Sequence, residues 1–372
     1  MTRARELAEL GSVYENGALS NRNVVMNGEF AVSQRGTSFT GIGSSGTFDD
    51  TFTMDRFLIS QGQSAGRCTV VQDSNTPTGL GFSKSLKIST TTADTSIAAA
   101  EYHRLQTKFE GQYLQRFAKG TSGAKEYTLS FHCKANAAAT YVVELYDQNN
   151  QRTVAKTFSV TTDWTKVIIT FPADTTGAFT NNASLSMELN WWMHAGATYG
   201  GGTLQTTWGS IVQANRAAGI DSIFDSTSRT FFITGVQLEV GGTATPFEHR
   251  SFGDELAQCQ RYFYDFQPAG TANAVNEVGI ICVPYGSNNF FGGITFPVTM
   301  RSTPTLSSGG DWATRANNNN VITSSMSYQR SSPRHVLVSG TATSIDDGDG
   351  HWLEPSSGTN PNTSFMNFTA EL

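Results

Sequence analysis

The segment Tyr127–Tyr146, YTLSFHCKANAAATYVVELY, decides the fold class. In its first half every second side chain is apolar, and Thr128, Ser130 and His132 stand between them. The second half repeats this alternation from Tyr141 onwards. Successive side chains of a β-strand point to opposite faces of the sheet. A period of two therefore predicts two half-buried strands joined by a short connection.

The same period extends over most of residues 23–250. Further apolar rows that alternate with polar residues are Val167, Ile169 and Phe171; Leu185, Met187 and Leu189; and Phe232, Thr234, Val236 and Leu238. Strands with one apolar face pair into antiparallel sheets, and these pack face to face. We therefore predict an all-β fold whose residues 23–250 form an antiparallel jelly-roll β-sandwich.

The period changes to that of a helix after the sandwich. Ser251 and Asp254 have the spacing of a capping box. The apolar side chains that follow fall close to one helical face: Leu256, Cys259, Phe263 and Phe266. The pattern predicts a short connecting helix within residues 251–266, covering Asp254–Asp265. Its apolar stripe would pack either on its own sandwich or on two copies at the axis of a trimer.

Residues 267–372 return to strand patterns. The clearest runs are GIICVPY, NFFGGITF, HVLVSG and SFMNFTAEL, with polar loops between them. They predict a second, smaller C-terminal β-domain, which we expect to form an exposed distal tip that faces a receptor.

At the other end, residues 1–22 begin with a short amphipathic stretch and continue as a turn-rich tether. A helix of this length is marginal alone in water. We therefore expect a docking arm that becomes ordered on a partner through Arg3, Arg5, Leu7 and Leu10.

Composition narrows the function classes. Charged residues make up 15% of the chain, well below the roughly 25% of an average soluble domain. The net charge is −6 and Lys and Arg are not clustered, which argues against binding nucleic acid. No apolar run reaches the length that spans a bilayer, and no signal peptide is predicted at the charged N-terminus.

Cysteine usage indicates a reducing compartment. Cys68, Cys133, Cys259 and Cys282 are spaced too widely for a zinc pair. We expect buried free thiols in a protein that folds in the host cytoplasm.

Two blocks resemble a known family. NVVMNGEFAVSQRG (Asn23–Gly36) and GVQLEVGGTATPFEHRSFGDELAQCQRYF (Gly235–Phe263) resemble a sandwich domain common in phage tail-fibre and virion structural proteins. Shorter matching pieces are Met54–Phe57, Leu129–Asn136, Thr162–Trp164 and FPVTMRSTPTL (Phe296–Leu306). The N-terminal RARELAEL and GALSNRN are similar to the virion-attachment leader of such chains.

The resemblance implies a carbohydrate-binding-module-like jelly roll in a homotrimeric phage fibre, with a tail fibre as the first choice. Such a fibre would support host attachment without catalysis. The chain would be part of the virion, with tail, adaptor or capsid proteins as partners of its N-terminal arm, a host-surface glycan as a further partner, and no cofactor. A capsid-decorating head fibre, a baseplate component, a glycan-binding module and an envelope-polysaccharide hydrolase stay open as alternatives.

Glycan or receptor contact needs exposed aromatic side chains beside polar ones. Trp192 falls on the same strand face as Glu188 and Asn190, and is therefore expected to face solvent. Other candidates in or near loops are Tyr199, Trp208, Trp312, His351 and Trp352. The alternative is that these side chains fill the ends of the sandwich or a subunit interface.

Catalytic and metal-binding patterns are weak. The six histidines form no HxH or HExxH arrangement, and no GxSxG elbow is present. The acidic stretch Asp346–Gly350 fits either a solvated turn or calcium ligands, without the full pattern of a calcium loop. We expect no enzyme activity and no metal or cofactor.

Overall fold

A computed structural model describes residues 21–43, 48–267, 280–285, 288–310, 312–315, 319–321, 326–342, 351–355 and 364–372. The chain divides into an N-terminal unit, residues 1–255 with Leu372, and a C-terminal unit, residues 256–371. Both units consist mainly of antiparallel β-sheets. The predicted class, an all-β sandwich followed by a second β-domain, is confirmed. The predicted docking residues Arg3, Arg5, Leu7 and Leu10 lie outside the described residues.

The N-terminal unit is a sandwich of two sheets. One has, in spatial order, β1 (Ser38–Ile42), β4 (Arg67–Asp73), β5 (Ser85–Thr92), β13 (Thr230–Val240), β7 (Tyr127–Ala135) and β10 (Thr165–Phe171). The other has β12 (Gly209–Ser210), β9 (Arg152–Val160), β8 (Ala139–Asp147), β11 (Leu185–Ala195), β6 (Tyr102–Glu110), β3 (Phe57–Gly62) and β2 (Phe48–Phe52). Short helical turns are Gly111–Tyr113, Gln115–Phe117, α1 (Ala197–Gly200) and Gln213–Asn215.

The alternating rows meet in the core between these sheets. Tyr127, Leu129 and Phe131 of β7 are fully buried, as the period of two predicts. Phe131 meets Trp191 of the opposite sheet edge-to-face, with ring centroids 5.9 Å apart. Each large apolar side chain buried in this way contributes roughly 1.5–3 kcal/mol. Apolar packing between the sheets therefore holds the sandwich together.

The predicted connecting helix is only partly correct. The helix α2 covers Phe252–Gln260 and is capped as expected, because the Ser251 hydroxyl accepts a hydrogen bond from the backbone N–H of Asp254 at 3.2 Å. The chain then enters strand β14, Phe263–Gln267. Phe263 and Phe266 therefore belong to a strand and not to a helical stripe.

The pairing of β14 explains the error. Phe263 to Asp265 pair with β23 (Phe365–Thr369), and sheet hydrogen bonds outweigh the apparent helical spacing. Tyr262, Tyr264 and Phe266 also stand at every second position, which is the strand period. The single chain already buries Cys259 and Phe263, while Leu256 is half-buried. The prediction of a helical seam at a trimer axis is therefore wrong for Leu256, Cys259, Phe263 and Phe266.

The C-terminal unit has two described sheets. The smaller has, in spatial order, β14, β23 and β17 (Thr305–Gly309). The larger has β19 (Asn319–Val321), β18 (Trp312–Arg315), β22 (His351–Pro355), β15 (Ile280–Tyr285), β16 (Asn289–Thr295), β21 (His335–Thr341) and β20 (Ser327–Ser331). The core of the unit includes Cys282, Phe290, Val338, Leu353 and Phe368.

Two further expectations concern cysteines and membranes. All four cysteines are buried free thiols, as predicted. Burial raises the pKa of Cys68 to about 12, so its thiol is not reactive at neutral pH. None of the helices in the described part of the chain is long and apolar enough to cross a membrane.

Candidate functional site

The outer face of the seven-stranded sheet in the N-terminal unit carries a buried polar network. Glu144, Asn190 and Gln106 lie side by side on β8, β11 and β6. Glu144 is fully buried and accepts two hydrogen bonds from the Arg216 guanidinium, at 2.7 and 2.9 Å. It also accepts from the Thr153 hydroxyl at 2.7 Å. Glu144 is thus the centre of the network.

Trp192 belongs to the same network and is fully buried, so its expected exposure to solvent is wrong. Its indole N–H donates to Glu144 Oε2 at 2.8 Å. The guanidinium groups of Arg104 and Arg216 lie 5.0 and 4.9 Å from the ring centroid, within cation–π distance. A sugar ring could reach Trp192 only after these partners had moved.

The chain segment after β11 explains the burial of Trp192. It returns across the outer face, where Tyr199, Leu204 and Ile220 pack against the buried cluster that contains Trp192. Backbone hydrogen bonds hold it there, from Ala155 N to Gln205 O at 2.7 Å and from Ala217 N to Tyr199 O at 2.9 Å. Alternation correctly predicts the sheet face of Trp192, but the cover comes from residues that carry no strand pattern.

The electrostatics of the network indicate a structural role. Burial alone raises the pKa of Glu144, but the Arg216 guanidinium and its hydrogen bonds outweigh burial and hold the pKa below its usual value. The same ion pair outweighs burial at Arg216 and raises the pKa of that guanidinium. Both groups stay charged at neutral pH. A permanently charged, hydrogen-bonded pair is poorly suited to proton transfer.

The other aromatic candidates of the N-terminal unit are half-buried. Tyr199 lies in α1, and its ring centroid is 5.4 Å from that of Trp192. Trp208 packs against the main core and donates its indole N–H to Pro172 O at 2.8 Å. The structure therefore gives both side chains a packing role at the sandwich surface.

In the C-terminal unit, two of the three candidates are buried. Trp312 and His351 are each 3% exposed and lie on β18 and β22, not in polar loops. The expectation of loop positions is therefore wrong, because short strands begin at these residues. Trp352, by contrast, is 58% exposed.

Trp352 is part of a larger exposed apolar face. Its strand partner Ile281 is 70% exposed, and Val283 and Tyr285 further along β15 are 63% and 67% exposed. Phe291 of β16 pairs with Val283, and its ring centroid lies 5.6 Å from that of Tyr285. We call these five residues, Ile281, Val283, Tyr285, Phe291 and Trp352, the apolar sheet face.

The signal for this face was present in the sequence. The run GIICVPY does not alternate but is apolar at nearly every position. Such a run is typical of a strand that is buried on both faces. In the single chain Ile280 and Cys282 are buried, whereas Ile281 and Val283 are not. One face of β15 is therefore exposed in the single chain.

The structure describes Asp55 but not the acidic stretch Asp346–Gly350. Asp55 is buried and accepts hydrogen bonds from the backbone and side-chain nitrogens of Gln34, at 2.7 and 2.6 Å. It therefore fixes the chain around Gln34. Asp346 and Asp347, and with them the calcium alternative, lie outside the described residues.

Comparisons with known proteins were made at the level of sequence and of structure. No protein-family model matches the sequence, and no curated protein matches it either. A solved structure described as "CBM4 structure and function" has 14% identity and a TM-score of 0.28, covering 50% of this chain and 87% of that one. The family 11 carbohydrate-binding module of a Clostridium thermocellum cellulase has 11% identity and a TM-score of 0.27, covering 55% and 95%.

A phage protein is also among the similar structures. The enzymatically active domain of tailspike protein 4 from bacteriophage CBA120 has 16% identity and a TM-score of 0.29. The match covers 59% of this chain but 21% of that one. Similarities of this size do not assign a function, so the proposals below rest on the residues and contacts described above.

Proposed function

We propose that the protein is a non-catalytic structural subunit of a phage fibre, with a tail fibre as the first choice. The subunit assembles as a homotrimer and supports attachment to the host surface. The sequence blocks Asn23–Gly36 and Gly235–Phe263 support the class of protein. The apolar sheet face supports assembly. Under this proposal residues 1–22 dock on other virion proteins, after assembly in the host cytoplasm.

The exposure of Ile281 and Val283 carries the proposal. Isolated apolar side chains are common on protein surfaces, but contiguous apolar patches mark contact sites. Ile281, Val283 and Trp352 are each more than half exposed and lie on neighbouring strands. Covering each of them contributes roughly 1–2 kcal/mol at about 25 cal/mol per Å². A second copy of the chain is the partner we assign to this face.

Labelling of virions tests the proposed location. Purified particles would be incubated with a gold-labelled antibody against this chain and imaged by electron microscopy. We expect gold on the tail appendages, and we expect purified protein to slow adsorption of the phage to its host. Label on the capsid would favour a head fibre, and label near the tail tube a baseplate component. Particles without label would refute the virion role.

Glycan binding is a second candidate, because three members of the apolar sheet face are aromatic. Trp352 and Tyr285 expose enough ring surface to stack on the C–H groups of a sugar. The test is a glycan array with wild type and Trp352→Ala. Tyr328→Ala is the matched control, since Tyr328 is an exposed aromatic on strand β20 of the same sheet. Equal glycan signals from wild type and Trp352→Ala would exclude Trp352 as the contact.

Absence of catalysis is also open to direct measurement. The purified chain would be incubated with envelope polysaccharide from the host, and the products separated by size. We expect the polysaccharide to keep its length. Release of oligosaccharides would establish the hydrolase alternative instead.

A further inference from the structure

Three side chains with metal-ligating atoms meet at one end of the N-terminal sandwich. Asp94 and Glu101 come from the connection between β5 and β6, and His194 from the end of β11. One ligand atom of each lies within 4.8 Å of the other two. Asp94 is 5% exposed, Glu101 6% and His194 fully buried. Residues distant in sequence are thus brought together at a covered position.

Each of the three side chains is held in place by neighbours. Asp94 Oδ2 accepts hydrogen bonds from the Ser64 hydroxyl and from the backbone N–H of Ala65, both at 2.8 Å. His194 Nδ1 lies 2.7 Å from the Ser222 hydroxyl, and its Nε2 lies 3.3 Å from Glu101 Oε2. A histidine whose second ring nitrogen is bonded to an oxygen is the arrangement typical of metal ligands.

Two carboxyl groups lie together, and within the described part of the chain neither forms an ion pair with Lys or Arg. Buried carboxylates are stabilised by a cation or a metal ion.

A second buried histidine, His103, neighbours His194 on the adjacent strand. It is fully buried and pairs across the strands with His194, so both side chains lie on the same face of the sheet. Gln61 donates its amide N–H to Gly66 O, which turns Gln61 Oε1 towards His103 Nδ1 at 2.9 Å. His103 Nδ1 must therefore carry the proton. Among the described residues its Nε2 has no hydrogen-bond partner.

We propose that Asp94, Glu101 and His194 bind a divalent first-row transition-metal ion such as Zn²⁺. Imidazole nitrogens favour zinc and its neighbours, whereas calcium prefers oxygen ligands alone. Ligand atoms around tetrahedral zinc stand about 3.3–3.6 Å apart. The 3.3 Å between His194 Nε2 and Glu101 Oε2 already meets this spacing. The ion would fasten the β5–β6 connection to the end of β11.

Metal content and thermal stability test the site. Untagged full-length protein would be treated with EDTA, desalted, and titrated separately with Zn²⁺, Mn²⁺ and Ca²⁺. Bound metal would be measured by mass spectrometry and unfolding by calorimetry. We expect one zinc ion per chain, a higher Tm with zinc, and no comparable effect of calcium. Wild type that binds no zinc, or whose Tm zinc does not raise, would overturn the proposal.

Variants locate the ion. Glu101→Gln and His194→Gln are each expected to weaken zinc binding at least tenfold and to remove the Tm increase. Glu101→Gln keeps the side-chain shape and removes one of two adjacent carboxylates, so it is expected to fold even if His194→Gln does not. Zinc binding as tight as wild type in Glu101→Gln would overturn the site.

One further variant completes the design. His249→Gln is the matched control, because His249 Nδ1 also lies 3.3 Å from a carboxylate, that of Glu29, but at an exposed position. It is expected to bind zinc as wild type does. An equal loss in this control would contradict the location of the site.

Discussion

Removal of the Glu144 side chain is expected to destabilise the N-terminal unit strongly. Glu144→Ala deletes the acceptor of two hydrogen bonds from Arg216 and of one from the Trp192 indole. Arg216 is 6% exposed, so its guanidinium would remain buried without its carboxylate. Breaking one partner of a buried ion pair costs about 3–5 kcal/mol. We expect a loss of this size in the free energy of unfolding.

Urea denaturation followed by tryptophan fluorescence measures this loss, because Trp191 and Trp192 both lie in the buried part of the N-terminal unit. The matched control is Asp225→Ala, which removes a carboxylate paired with Arg229 at the surface, at 2.5 Å. Asp225 is 41% exposed, and pairs of this kind contribute roughly 0–1 kcal/mol. The control should therefore unfold at nearly the same urea concentration as wild type.

A double-mutant cycle separates the ion pair from general packing. Glu144→Ala/Arg216→Ala is expected to be more stable than the sum of the two single losses predicts, by about 1–3 kcal/mol. The reason is that the double variant leaves no charge buried alone. Additive losses, or a loss below about 1 kcal/mol for Glu144→Ala, would refute the network as a source of stability.

Further predictions concern burial and pH. Trp192→Ala should lower the free energy of unfolding by about 3–5 kcal/mol, whereas Ile168→Ala, at a 54% exposed position in the same unit, should change it by roughly 0.5 kcal/mol or less. Equal melting of both variants in thermal denaturation would contradict the placement of these side chains. Asp174 accepts hydrogen bonds from Arg152 at 2.8 and 3.0 Å and lies 3.0 Å from Lys119 Nζ. Burial raises the pKa of Asp174, but these hydrogen bonds outweigh it and hold the folded-state pKa below the ordinary value of 3.8. The contribution of Asp174 to stability is therefore present above pH 3.8 and is lost as the pH falls through the folded-state pKa. The free energy of unfolding of Asp174→Asn should depend less on pH below about pH 4 than that of wild type. An unchanged pH dependence would contradict this role of Asp174.

Sequence patterns predict the sandwich well because the period of two has a direct physical cause. In β7 the row from Tyr127 to Cys133 faces the opposite sheet and is buried as predicted. The pattern fails where two periods coincide. The spacing from Cys259 to Phe263 suits a helix, but Phe263 pairs with Thr369 in a sheet. That partner lies more than a hundred residues away and leaves no mark on the local sequence.

The candidate site shows a second limit of sequence patterns. Alternation places Trp192 on the outer face of its sheet, but it does not reveal that Tyr199 will pack on its ring and that Ile220 will cover the same cluster. For Ile281 the situation is reversed, because an unbroken apolar run predicts burial that the single chain does not provide. Both cases depend on what lies over a sheet face, and that is a matter of tertiary or quaternary contacts.

The mass of the protein in solution tests the central claim of assembly through the apolar sheet face most directly. At micromolar concentration, light scattering coupled to size exclusion should give about 121 kDa, three copies of the 40.2 kDa chain. Ile281→Asp/Val283→Asp should give the mass of a single chain, and Ile168→Asp, at a 54% exposed position in the N-terminal unit, should keep that of the trimer. A wild-type mass near 40.2 kDa, or a trimer that survives the double substitution, would contradict the account.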